Sequence, residues 1–184
     1  MSEPDTVVRW CLSREPRLGT GRLLAVDGPA GAGKTTYAEA LAAAAQRLGV
    51  TTRILHLDDL YEGWTGLEEV GQRVRDDVLD PLSTETPGLY RRWDWEASRW
   101  AEWVPVDPVA LLVLEGVGAG SLDVAPYLSG LVWVDAPSQV RHERGIARDG
   151  EAFAPHWSAW AATEVVHFAE HGTELRADVR VVSG

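Results

Sequence analysis

The 184-residue chain holds one cysteine, one methionine, two phenylalanines and a single lysine. One cysteine excludes an internal disulfide and a cysteine-rich zinc site, so neither device can brace the fold. No apolar run approaches the length that crosses a bilayer, and no membrane partner is expected. The N-terminal MSEPDTVVRW starts acidic and lacks the basic and long apolar regions of a secretory signal, which predicts a cytoplasmic protein. Positive charge is scarce as well: Lys and Arg total 17 against 28 Asp and Glu, for a net charge of −11. Such a surface repels a polyphosphate backbone at long range, so no nucleic-acid partner is expected. Any bound anion must be gripped by local positive groups.

What is present fits one domain with a substantial core: 45% of residues are hydrophobic and 24% charged, and the length is too short for two comfortable domains. After a short leading helix over 6–14, apolar runs alternate with helical stretches. Strands are expected over 22–27, 52–57, 110–114, 131–135 and 179–182. Helices are expected over 34–48, 67–79, 121–128, 138–148 and 156–170. Short apolar strands alternating with helices predict an α/β fold, a five-stranded parallel sheet flanked by helices on both faces. Such sheets take ligands at the carboxyl ends of their strands. Acidic residues or glycines follow the first three strands, at Gly28, Asp58 and Glu115, so polar chemistry gathers along one edge.

The lone lysine, Lys34, lies in GPAGAGKT, which satisfies G-x-x-x-x-G-K-[ST] between a predicted strand and a predicted helix. In this P-loop pattern glycines let successive backbone N–H groups point inward at phosphate oxygens, and the helix N-terminus adds partial positive charge. The expected nucleotide cradle is therefore Gly28, Ala30, Gly31, Ala32, Gly33, Lys34, Thr35 and Thr36. Lys34 reaches the β- and γ-phosphates as a compact point charge, and the Thr35 hydroxyl serves Mg²⁺. A planar guanidinium cannot replace that ammonium, which accounts for a lysine kept in an arginine-using chain. Guanine recognition by N-K-x-D is impossible, since the one lysine is committed. Leu128-Ser129-Gly130 is only a fragment of a transporter-type L-S-G-G-Q signature. ATP and Mg²⁺ are the expected cofactors, and a small-molecule kinase is the leading class.

His56–Trp64, HLDDLYEGW, follows the second strand. A kinase acting on an alcohol needs a carboxylate that orients the hydroxyl and accepts its proton, and Asp58 or Asp59 stands where that group belongs. These residues resemble the uridine kinase and nicotinamide riboside kinase branch of the P-loop kinases, with phosphoribulokinase more distant. The resemblance covers most of the chain from Arg22 onward. Asp58-Asp59-Leu60-Tyr61 is similar to the family's D-[DS]-F-[FY], with Leu60 in the aromatic place. It implies Asp58 as catalytic base and metal neighbour, Asp59 near the metal, and Asp59 and Tyr61 beside the substrate.

Tyr90-Arg91-Arg92-Trp93-Asp94-Trp95 resembles the segment that holds acceptor hydroxyls, which implies Asp94 as hydroxyl ligand between the walls Trp93 and Trp95. Leu111–Gly116 resembles the third-strand motif, with Glu115 serving Mg²⁺ alongside Thr35. The stretch 141–155 resembles a short arginine-bearing lid. Arg141 is expected on the substrate, and Arg144 and Arg148 on the charge developing during transfer, the three sharing one helix face. His156, Trp157 and Trp160 are expected to pack beneath the lid as structural residues. His167 and His171 are expected on a solvent-facing helix end. The acceptor stays open among nucleosides, nicotinamide riboside, sugars, pantothenate-like molecules and natural products. Arg91 and Arg92 keep a nucleoside monophosphate kinase in play, and a nonenzymatic nucleotide-binding regulator or slow ATPase is the other alternative.

Overall fold

The computed structural model describes residues 3–149 and 155–183, without the side chains of Arg148 and Asp149. A leading helix α1 (Pro4–Leu12) precedes β1 (Arg22–Asp27), α2 (Lys34–Arg47) and β2 (Thr52–His56). Helices α3 (Leu67–Val74) and α4 (Asp80–Ser83) follow, joined by a π-helical turn at Arg75–Leu79. Next come β3 (Gly88–Asp94), β4 (Arg99–Val106), β5 (Leu111–Glu115), β6 (Leu128–Asp135), α5 (Ser138–Asp149), α6 (Trp157–His171), α7 (Thr173–Arg176) and β7 (Val179–Val182).

The five strands read from the sequence pair in one parallel sheet, in the order β2-β5-β1-β6-β7. Each inner strand splits its side chains between the two faces. In β1, Leu23 and Ala25 join a core shared with α3 and Trp160, whereas Leu24 and Val26 join a second core shared with α1 and α2. Both faces are thus covered, as continuous apolar runs demand. Two parts of the fold differ from expectation. Residues 121–128 hold a single 3-10 turn at Ala125–Tyr127 in place of the expected helix, because the chain is drawn tight by turn bonds at Gly118, Ser121 and Val124 before entering β6. The aromatic segment around Trp93 is one arm of an antiparallel hairpin, β3 with β4.

Register sets the site. His56 pairs with Glu115, and Glu115 with Val26, so the carboxyl ends of β2, β5 and β1 come level and release their next residues on the same side. The loop after β1, the turn after β2 and Glu115 become neighbours.

Candidate active site

The loop between β1 and α2 is pinned from below. Asp27, wholly buried, accepts from Gly28 N at 2.7 Å, Gly118 N at 3.0 Å and Gly120 N at 2.8 Å, tying it to the loop after β5. Burial pushes its carboxyl up to about 6 despite those amides and the nearby Lys34. Gly31 has φ +75°, and a Cβ there would meet the Arg141 carbonyl oxygen at 2.1 Å, so α5 rests directly on the loop. Gly33, at φ +92°, opens α2 in a left-handed conformation that only glycine adopts cheaply. Lys34 is buried and folds back to donate to Pro29 O at 3.0 Å.

A cavity of about 830 Å³ runs along this edge of the sheet. At one end it is walled by Ala30, Gly31, Gly33, Lys34, Thr35 and Thr36, and Arg144 of α5 closes over them. Arg144 donates to Ser183 Oγ at 2.8 Å, and Ser183 Oγ donates to Ala32 O at 2.8 Å, so the residue after β7 seats the guanidinium beside the loop. Glu115, almost fully buried, takes the Thr35 hydroxyl at 3.3 Å and stands 2.6 Å from His56 Nδ1. That bond raises the His56 pKa above its ordinary value, against the opposing effect of burial.

The other end is acidic and aromatic. Asp58 and Asp59 line it with Tyr61, Trp64, Trp95 and Trp160. The hairpin grips the Asp58-Asp59 turn: Trp95 Nε1 donates to Asp58 O at 2.8 Å, and Tyr90 OH to Asp59 Oδ2 at 3.3 Å. Tyr61 is buried, donates to Val117 O at 2.7 Å and meets Trp160 edge-on at 5.2 Å. Trp64 stacks on His156 at 4.7 Å and lies 4.9 Å from Trp95.

Several expected site residues stand elsewhere. Asp94 spends Oδ1 on Ala97 N, capping the hairpin turn at 2.9 Å, and does not line the cavity. Trp93 is buried against Trp100 at 5.0 Å, on the inner face of the hairpin. Arg141 donates to Ala136 O at 3.1 Å, stands 3.7 Å from Asp135 and does not line the cavity. The Arg148 side chain, and residues 150–154 of the expected lid, lie outside the described residues. His156 and Trp160 line the cavity, a place beyond mere packing under a lid. His167 is buried, not solvent-facing, and burial lowers its pKa to about 4. Among the described residues no group of three potential metal ligands of the His, Cys, Asp and Glu types occurs.

One participant carries no motif. Glu164 of α6, buried, accepts the Ala30 amide at 2.8 Å and Trp160 Nε1 at 2.7 Å on the same oxygen. Burial raises its carboxyl above the usual range, with Lys34 and these two donors opposing.

The fold is shared with a possible uridine kinase from Bacillus stearothermophilus, at a TM-score of 0.69 and 20% identity over 97% of each chain. This is a uridine-kinase-like P-loop fold. A candidate fructose transport system kinase from Silicibacter sp. TM1040 shares it at a TM-score of 0.68 and 19% identity, over 96% of this chain and 98% of that one. At these identities the likeness speaks for the fold and not for the acceptor. No family model and no curated protein matches the chain. Among the described residues no helix is long and apolar enough to cross a membrane.

Proposed function

We propose that this chain is a cytoplasmic, single-domain kinase that transfers the γ-phosphoryl group of ATP to a hydroxyl of a small molecule. The observation that carries the reading is the meeting, in one cavity, of the glycine loop with Lys34, the Asp58-Asp59 turn and Glu115. In this reading the loop amides and Lys34 hold the phosphates, and Arg144 offsets charge that builds on the transferred group. Asp58 orients the acceptor hydroxyl and takes its proton as the acceptor oxygen bonds to the γ-phosphorus. The bond from that phosphorus to the β–γ bridging oxygen breaks, and ADP leaves with the electron pair. Asp59 and the rings of Tyr61 and Trp95 hold the acceptor.

Thr35 Oγ1 and Glu115 Oε1, 3.3 Å apart, are hard oxygen donors at the phosphate end, and with Asp58 they form a set suited to Mg²⁺. When bound, the ion neutralises charge on the β- and γ-phosphate oxygens.

The acceptor itself is best read as free of phosphate. Arg91 donates to Ala101 O at 3.0 Å and Arg92 to Glu102 at 2.8 Å, both along the hairpin. Among the described residues, the Lys and Arg side chains lining the cavity are Lys34 and Arg144, both at the phosphate loop. This disfavours a nucleoside monophosphate acceptor. Release of ADP from Mg²⁺-ATP, measured with and without a panel of nucleosides, ribosides and sugars, tests the proposal. Strong stimulation by one compound is the expected result. A basal rate that no compound changes, or no ADP at all, favours the slow ATPase or regulatory protein instead.

A further inference from the structure

Helix α6 is built against the usual hydrophobic logic. It turns Trp160, Glu164 and His167 inward, at 6%, 3% and 6% exposure, and leaves Val165 and Val166 outside at 70% and 56%. Burying a carboxylate while valines face water costs stability unless the carboxylate is well partnered. Glu164 is: Oε1 takes both the Ala30 amide and the Trp160 indole N–H. Those donors belong to two different parts of the cavity wall. Ala30 lies in the loop that cradles phosphate, and Trp160 stands against Tyr61 and Trp64 on the acceptor side. A contact spanning 134 residues of sequence thus makes one oxygen the joint between them.

We propose that Glu164 is a positioning residue that holds the phosphate loop and the aromatic acceptor wall in register, so that filling one end of the cavity is felt at the other. The proposal rests on the reading of this cavity as a kinase site. Two donors on one oxygen compete, so a change in one alters the other. Phosphate oxygens entering the loop shift its amides, and Ala30 passes that shift through Glu164 to the Trp160 indole. Linkage makes the effect reciprocal: an acceptor seated on Trp160 alters the loop's hold on nucleotide. Register at this level matters, since a displacement of about 1 Å can cost roughly 10²-fold in rate.

The test is nitrogen-15 NMR of the tryptophan indoles in the full chain, with the Trp160 peak assigned by Trp160→Phe. The titrants are Mg²⁺-ADP and Mg²⁺ with a β,γ-imido analogue of ATP, and calorimetry runs in parallel. In the native protein the Trp160 peak moves saturably, with the midpoint that calorimetry gives. In Glu164→Leu nucleotide still binds but the peak stands still. In Glu164→Gln, whose amide oxygen accepts more weakly, the peak starts upfield and its movement shrinks, a signature that survives even where the leucine variant fails to fold. Heat with a stationary native peak overturns the coupling alone, as does full native movement in either variant. Absence of heat in the native protein overturns the kinase reading and the coupling together.

Discussion

Replacing Asp27 by asparagine isolates the cost of the buried charge beneath the glycine loop. The carboxylate is wholly buried and accepts three backbone amides, yet its pKa stands at about 6 against an ordinary 3.8. Folding therefore favours the protonated acid, and the native state binds the proton more tightly than the unfolded chain. The stability this confers is complete below 3.8 and is lost as pH rises through about 6. At 1.36 kcal/mol per pH unit the full span corresponds to about 3 kcal/mol, and on the order of 1 kcal/mol of it returns on going from pH 7.5 to pH 5.

Asparagine keeps an acceptor for Gly28 and Gly118 but turns an NH₂ toward the Gly120 amide, forfeiting one bond, a loss of about 1–3 kcal/mol that does not vary with pH. At pH 7.5 the lost bond and the relieved charge nearly cancel, and the two proteins should have similar stabilities. Urea unfolding of both proteins at pH 5, 6, 7 and 7.5 measures the difference. The native protein should gain on the order of 1 kcal/mol on the variant toward pH 5. A difference that stays flat across these pH values would falsify the assignment of Asp27 as a buried, charge-strained carboxylate.

Asp58→Asn should retain ATP affinity while phosphoryl transfer to the stimulating acceptor falls about 10²-fold or more; unchanged turnover removes Asp58 from proton transfer. Lys34→Ala should weaken nucleotide binding by roughly 10- to 150-fold in calorimetry, the range expected for loss of a charge-assisted hydrogen bond, and native affinity in the variant would refute its phosphate role. Gly31→Ala places a Cβ 2.1 Å from the Arg141 carbonyl at φ +75°, so α5 must move. Left-handed strain and displacement of about 2 kcal/mol should lower the melting temperature by roughly 4–8 °C and weaken nucleotide binding, and an unshifted melt with native affinity contradicts the close seating of α5 on the loop.

The glycine-loop end of the cavity was legible because its signals are local. A strand, a glycine loop with one lysine and a helix occupy one continuous stretch, and their conformations follow from residue type and spacing at short range. The five sheet strands were legible for the same reason, each being a buried apolar run with a stop. The hairpin was not. Arg91-Arg92 and Pro105 interrupt the alternation that marks a strand, and its pairing, with Trp95 on Asp58 O and Asp94 spent on its own turn, appears only when both arms are present.

Sequence alone therefore determined the class of fold, the glycine loop and the acidic edge, since each depends on neighbours a few residues away. Tertiary structure decided which side chains line the acidic, aromatic end of the cavity, that Ser183 seats Arg144, and that Glu164 joins Ala30 to Trp160. Those contacts join residues 39 and 134 positions apart. A buried glutamate beside two exposed valines has no periodicity to announce it, because its burial is stabilised by partners that only the folded chain brings within reach.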